Sequence, residues 1–277
     1  MYTSYAIEYP FTLSVLHTMF VRHYPEGFHF AGEFHDFWEC VCVLEGEVCV
    51  SGDKNVYLLH EGDIVFHKPM EIHKFHVDCK DGCRLLIFSF RMTGEGCAFF
   101  EDLVTTMNDE ERATVDALLA YLRRHVGKGD VPEAVLPAEG RPTPDVAMLA
   151  TFLTRLLLLL RQHSERAVPS YTSEAALFSE AAGYLESHVQ ESIRSEELAH
   201  RLGISLSGLK RLFRRYADMG VHEYFLHLKL RYAITLLADG YRVSEVAAQL
   251  GFSSQAHFSR AFIRAMGYPP SVIRRLS

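Results

Sequence analysis

Two short runs place imidazole and carboxylate groups where they could act together. In Phe34-His35-Asp36-Phe37-Trp38-Glu39, leading into Val41 and Val43, alternate side chains of an extended chain share a face. His35, Glu39, Val41 and Val43 therefore point one way, and Trp38 points the other. In Glu71-Ile72-His73-Lys74-Phe75, His73 has the parity of Phe75 and Val77. Two imidazoles and a carboxylate directed into an apolar interior can orient a small hydroxylated ligand, bind a divalent metal, or simply satisfy one another. The reading adopted is an effector pocket of His35, Glu39 and His73 that requires no cofactor, and a divalent metal on the same three residues stays open as the alternative. His29 is a further pocket candidate. Trp38 is included too, although its parity suits packing better than ligand stacking.

The other chemistry-bearing feature is a sentence written twice. Leu198-Ala199-His200-Arg201-Leu202-Gly203-Ile204-Ser205 runs on to Leu209-Lys210-Arg211-Leu212-Phe213, and Val246-Ala247-Ala248-Gln249-Leu250-Gly251-Phe252-Ser253 runs on to Phe258-Ser259-Arg260-Ala261-Phe262. The offset is 48 up to the turn and 49 beyond it. A short helix, a turn containing Gly and a second helix with a basic outer face is the pattern of a DNA-reading helix-turn-helix. Helical spacing turns Leu209, Leu212, Phe213 and Tyr216 inward, leaving Ser207, Lys210, Arg211, Arg214 and Arg215 outside. In the second unit Phe258, Ala261, Phe262 and Ala265 face in, while Gln255, Ala256, Ser259, Arg260 and Arg264 face out. The basic and amide groups among these suit base edges and phosphates.

These groups need two kinds of scaffold. From about residue 11 to 92, apolar runs alternate with turn residues at Glu45-Gly46-Glu47, Gly52-Asp53-Lys54-Asn55, Glu61-Gly62-Asp63 and Lys68-Pro69-Met70, which predicts an antiparallel sandwich or barrel. Helical periodicity follows from Phe99 to Val126 and from Asp145 to His163. The latter carries Leu149, Phe152, Leu153, Leu156, Leu157 and Leu160 on one side and Leu158 and Leu159 on another. A helix apolar on two sides wants two neighbours, either both within one subunit or, as favoured here, the β domain and the same helix of a second subunit. Residues 127–144 are expected to be a surface loop. Val221 to Ala238 predicts one amphipathic helix, about 27 Å long at about 1.5 Å per residue. That approaches the roughly 34 Å between successive major-groove faces on one side of a duplex.

Composition narrows the class. The 277 residues, 48% of them hydrophobic, suffice for two domains with sizeable cores. The net charge of −7 divides into +3 for residues 174–277 and −10 for the rest, so the polyanion-binding end is the C-terminal one. Six Cys without a Cys-x-x-Cys pair, and no N-terminal apolar signal, lead to an expectation of free thiols in the cytoplasm. Arg155 and Arg161 bracket the most apolar run, well short of the roughly 20 residues of a membrane span. A Gly-rich phosphate loop, a Gly-x-Ser-x-Gly elbow and convincingly paired catalytic carboxylates are all missing from the sequence, so an enzyme is not expected.

Residues 174–277 resemble the DNA-binding domain of AraC-type transcription regulators. The motifs are Leu198-Ala199 through Leu209-x-Arg211-x-Phe213, Leu230-x-x-Ala233-x-x-Leu236-Leu237, Val246-Ala247-x-x-x-Gly251-Phe252 through Phe258-Ser259-Arg260-x-Phe262, and Gly267-Tyr268-Pro269-Pro270. The N-terminal runs are similar to the small cupin barrel that precedes this domain in the family. The resemblance implies an α+β chain: a cupin-like antiparallel β barrel over 1–97, dimerisation helices over 98–164, a linker over 165–173, and an all-α tandem helix-turn-helix domain over 174–277. It implies base-facing roles for Ser207, Lys210, Arg211, Gln255, Ala256, Ser259 and Arg260. The implied partners are double-stranded DNA, a small-molecule effector such as a sugar, a second copy of the chain through the N-terminal half, and RNA polymerase; activation is favoured and no membrane is involved. Three positions depart from the family pattern: Asp218 replaces a Gly, Ile263 a basic residue and Lys229 an Arg. Cupin enzymes carry a further His where this chain has Glu33. A cupin metalloenzyme with an accessory nucleic-acid-binding tail is the rival reading.

Overall fold

The computed structural model describes residues 5–6, 8–125, 144–163 and 172–273. Seven strands open the chain: β1 (Thr12–Tyr24), β2 (Trp38–Gly52), β3 (Asn55–His60), β4 (Asp63–His67), β5 (His73–His76), β6 (Cys83–Thr93) and β7 (Val104–Thr106). All pairings are antiparallel, in the order β1-β6-β2-β4-β7, with β3 and β5 pairing the far half of β2. Among the described residues no ladder joins β1 to β7, so the expected barrel is a sheet folded into two layers that share β2.

The fold line crosses β2 itself. The expected turn at Glu45-Gly46-Glu47 is instead a bend inside a continuous strand, with a register shift against β6 between Val43 and Glu45. Gly46 stands at φ 78, where a Cβ would come within 2.3 Å of the Gly82 carbonyl oxygen, so no other residue fits. Such a bulge reverses which parity faces inward. Before it Val41 and Val43 line the space between the layers; after it Val48 and Val50 do, together with Tyr57, Leu59, Phe75, Leu85 and Ile87.

The opposite face of the larger sheet, with Trp38, Cys40, Cys42, Phe66, Phe88 and Phe90, is covered by α1 (Asp109–His125) and α2 (Pro144–His163). Helix α1 starts ten residues later than its periodicity suggested, because a 3-10 turn (Glu95–Phe100) and β7 occupy the interval. The sheet thus runs past the expected domain boundary at 97. Helix α2 lays Leu149, Leu153, Leu156, Leu157 and Leu160 on the sheet and leaves Leu158 and Leu159 half-buried. The expected loop at 127–144 lies outside the described residues but for Pro144. The same holds for the linker except Thr172 and Ser173, which open the next helix.

Six helices follow: α3 (Ser173–Ser187), α4 (Ser195–Arg201), α5 (Leu206–Ala217), α6 (Val221–Ala238), α7 (Val243–Gln249) and α8 (Gln255–Met266). Two helix-turn-helix units, α4–α5 and α7–α8, hang on α6. Its first half places Val221, Tyr224, Phe225 and Leu228 in the first core, and its second half places Leu230, Ala233, Leu236 and Leu237 in the other. Ser205 and Ser254 cap the two recognition helices, each accepting a backbone N–H at 3.1 Å. The offset of 49 after the turn has its cause here: the second unit inserts one residue, so Ser254 and not Ser253 is the cap.

Asp218 ends α5 in the left-handed conformation, φ 54, whereas Gly267 serves α8 at φ 78. Left-handed backbone costs a non-glycine residue roughly 1 kcal/mol. Asp218→Gly is therefore expected to stabilise the chain by up to about 1 kcal/mol in urea denaturation, and a loss of stability would show that the Asp218–Arg214 pairing outweighs the strain.

Candidate effector pocket and DNA interface

The interior between the two β layers is apolar except at one end. Glu39 enters there from β2, paired across the ladder with His67 of β4, and His73 enters from the start of β5. The segment before β2 adds Glu33, which bridges to His73 through the backbone, and His35. Glu33, His35, Glu39 and His73 each present one ligand atom, and these atoms lie within 4.8 Å of one another. The structure thus brings the three expected pocket residues together and adds Glu33.

Hydrogen bonds fix both imidazoles. His35 Nδ1 lies 2.9 Å from the Phe37 carbonyl oxygen, and His73 Nδ1 lies 3.1 Å from that of Glu71. A carbonyl can only accept, so each Nδ1 donates and each Nε2 is turned toward the carboxylates. His73 Nε2 is 3.4 Å from Glu39 and 3.8 Å from Glu33, and His35 Nε2 is 3.9 Å from both. These are Coulombic separations, and neither Nε2 makes a hydrogen bond although both are buried. Burial opposes charge on His73, but the pull of Glu33 and Glu39 outweighs it and lifts its pKa to about 10. Burial, then the charge of His73, lowers that of His35. The cluster as a whole calls for positive charge between two carboxylates.

Sequence reasoning missed His67, whose ring stacks on His73 at 4.4 Å and whose Nδ1 meets Glu71 Oε1 at 2.8 Å. Its strand parity, that of Val65, was the available signal. Gly52 makes room for this pair, since a Cβ there would fall 1.9 Å from Glu71 Oε1. Two expected pocket residues lie elsewhere. Trp38 packs in the helix-covered core, on the opposite face of β2 as its parity dictates. His29 stacks on His76 and lines a cleft of about 480 Å³ with Phe30, Lys74 and the α5 residues Arg211, Arg214 and Arg215.

That cleft shows how closely the halves are docked. The β2–β3 turn, at the expected Gly52-Asp53-Lys54-Asn55, is inserted against α3, α5 and α6. Ser51 Oγ donates to the Tyr216 carbonyl at 2.6 Å, Lys54 pairs with Glu186 at 2.8 Å, and the buried Asp53 carboxylate accepts from Arg231, which also holds Glu186 at 2.9 Å. Val56 and Ile72 join the core around Phe178, Phe213 and Tyr224, and Phe34 sits edge-on to His227 at 4.2 Å. Gly32, Glu33 and Phe34 thus connect the polar cluster to the helical half within a few residues.

On the helical half, Ser207, Lys210, Arg211, Arg214 and Arg215 of α5 and Gln255, Ala256, Arg260 and Arg264 of α8 are exposed, with Ser259 partly so. Two of these cations are engaged within the chain: Arg214 donates to the Asp218 carbonyl and Arg215 pairs with Glu174 at 2.8 Å. Lys229 donates to the carbonyls of Glu191 and Leu250, pinning α6 between the two units.

A ligand-accepting β domain docked on paired helix-turn-helix units defines a DNA-binding regulator with a built-in sensor. Residues 19–120 match the family model described as an AraC-like ligand binding domain, and residues 198–276 match a helix-turn-helix domain. The transcriptional activator RhaS of Salmonella paratyphi B is 30% identical over 254 residues, covering 89% of this chain and 88% of that protein. RhaS of Pectobacterium carotovorum is 24% identical over 259 residues, with 88% of each covered. Among solved structures, ToxT of Vibrio cholerae aligns over 96% of this chain and 98% of its own, at 13% identity and a TM-score of 0.39. The chain belongs to the AraC family of transcription regulators. No helix among the described residues is long and apolar enough to cross a membrane.

The Asp53–Arg231 contact generates a stability prediction. Arg231→Met leaves a buried carboxylate with the Ile72 N–H and, as countercharge, Lys68 at 3.7 Å, and should cost about 3 kcal/mol in urea unfolding. Adding Asp53→Asn should restore much of that loss. Equal losses in the single and double variants would show that the charge pair does not hold the halves together.

Proposed function

We propose that this regulator reads DNA with α5 and α8 and senses a small effector at the polar end of its β domain. The observation that carries the reading is the pair of Ser-capped recognition helices mounted on one α6, with Arg211 and Arg260 at corresponding exposed positions. Ser207, Lys210, Arg211, Gln255, Ala256, Ser259 and Arg260 face base edges in this reading. Arg264 meets phosphate, and Arg214 and Arg215 do so once released from Asp218 and Glu174. Binding at Glu33, His35, Glu39 and His73 reaches the helical half through Phe34 and Ile72. The effector acts by favouring one arrangement of the two halves over another.

The role is regulatory and not catalytic, carried out in the cytoplasm, and the naming of relatives as activators supports activation through RNA polymerase. The chain acts as a homodimer through its N-terminal half. Supporting this is a groove of about 540 Å³ between β1 and α2, lined by Tyr9, Phe11, Leu13, Thr154, Leu158 and Leu159, where the exposed Tyr9 meets half-buried leucines.

Arg211→Ala and Arg260→Ala should each weaken operator binding about 10- to 100-fold in a mobility-shift titration. Arg264→Ala should lower the salt dependence of binding without changing sequence preference. Footprinting should show about two helical turns protected per subunit; a single protected groove would overturn the tandem reading. Leu159→Asp is expected to shift sedimentation from dimer to monomer while the melting temperature of the helical half holds, and an unchanged dimer would remove this groove from the interface.

A further inference from the structure

We propose that the occupant of the polar cluster is a divalent transition-metal ion bound by Glu33, His35, Glu39 and His73. The proposal deepens the effector-pocket reading and rests on it. Four features of the site bear on it. The first is donor number and kind: two imidazole nitrogens and two carboxylate oxygens converge from three separate segments, within 4.8 Å of one another. Both nitrogens are also buried and unpartnered, His73 in a side chain only 3% exposed. A buried polar nitrogen without a hydrogen bond is costly and calls for a ligand.

The third feature is orientation. Each His gives its Nδ1 hydrogen to a backbone carbonyl, which turns Nε2 into the cluster, where an incoming cation displaces the His73 proton and takes up the lone pair. This is the outer-shell arrangement that holds imidazoles as metal ligands. The fourth is spacing. Ligand atoms about 2.0 to 2.2 Å from a common tetrahedral centre lie roughly 3.3 to 3.6 Å apart. The separations between histidine nitrogens and carboxylate oxygens here are 3.4, 3.8, 3.9 and 3.9 Å, and the whole set lies within 4.8 Å, so these nitrogen–oxygen pairs close by a few tenths of an ångström and the widest pair by up to about 1 Å.

The donor set selects the ion class. Imidazole with carboxylate suits zinc, iron, cobalt, nickel or manganese, while the absence of sulfur argues against a soft monovalent ion. Cys40 and Cys42 belong to the core on the opposite face of β2. A dication also neutralises two carboxylates brought together at the end of an apolar interior. Glu33, 46% exposed, marks the open side, where an oxygen of a small effector could complete the coordination. That side adjoins Phe34 and the His227 ring of α6, so coordination by Glu33 would act on the seam between the halves.

The test uses the full chain stripped with a chelator and then given Zn²⁺, Co²⁺, Ni²⁺ or Mn²⁺ alone. At about a hundredfold excess over Kd, at least one ion should raise Tm by about 5 °C. Co²⁺ should develop visible d–d absorption, displaced by Zn²⁺. Glu39→Gln and His73→Asn should abolish both signals, and Glu33→Gln, at a half-exposed position that the fold tolerates, should weaken binding about 10- to 100-fold. No shift with any of the four ions would overturn the proposal, as would a shift undiminished in both Glu33→Gln and Glu39→Gln. Operator binding by the stripped chain is read in parallel. DNA binding without metal binding removes the ion and keeps the regulator, whereas metal binding without DNA binding does the reverse.

Discussion

Burying the Asp53 carboxylate is the constraint on which the arrangement of the two halves depends. Asp53 occupies a tight turn at φ 46, and its side chain is 6% exposed. Burial alone pushes its pKa up, and the Arg231 guanidinium counters that push. An ionised group at that depth persists only where a countercharge is built to meet it. Arg231 stands midway along α6, the helix that carries both DNA-reading units, so meeting Asp53 fixes the β domain against the spine of the helical half. Lys54, Glu186 and Lys68 extend the pair into a network, which loses less side-chain entropy per contact than isolated pairs would.

The helical half answers a different requirement, that two recognition helices keep a fixed separation. Neither unit has a large core of its own, and each completes one by borrowing half of α6. The division falls between Leu228 and Leu230, and the intervening Lys229 ties the carbonyl of Leu250, at the end of α7, to that of Glu191, which precedes α4. Two separate carbonyl acceptors suit the flexible ammonium of Lys229 better than a planar guanidinium fork. A helix of 18 residues anchored at both ends is stiff on the scale of one turn of DNA.

How much of this was legible in the sequence depends on the range of the interaction concerned. The duplicated motif and the inward stripes of α5 and α8 are local, and periodicity found them, whereas the Ser205 and Ser254 caps emerge only from the structure. Parity likewise placed His35, Glu39 and His73 together and separated Trp38 from them. It failed where geometry departs from strict alternation. The Glu45-Gly46-Glu47 bend passed for a turn because a bulge and a turn use the same residues, and Phe99 to Val104 passed for helix because apolar spacing does not distinguish a 3-10 turn and a short strand from it. The docking of Asp53 on Arg231, 178 residues away, leaves no local trace at all. A charged turn reads as surface until a second domain covers it.

Proximity now links the two constraints. The cluster around His73 and the seam around Asp53 are joined by one short segment, since Glu71 accepts from His73 through its carbonyl, Ile72 packs in the helical core, and the Ile72 backbone donates to Asp53. On the other side Glu33 pairs with His73 along the backbone while Phe34 meets His227. Any ligand that draws Glu33 and His73 toward a common centre must move, by some fraction of an ångström, the residues on which α6 rests. Close-packed seams respond to such displacements by exchanging one packing for another instead of deforming smoothly. In the proposed reading the sensor site needs no long pathway, because it is built from the neighbours of the seam. Its influence on α6 then depends on how far the ligand's preference for one packing exceeds the energy of the Asp53–Arg231 contact that opposes release.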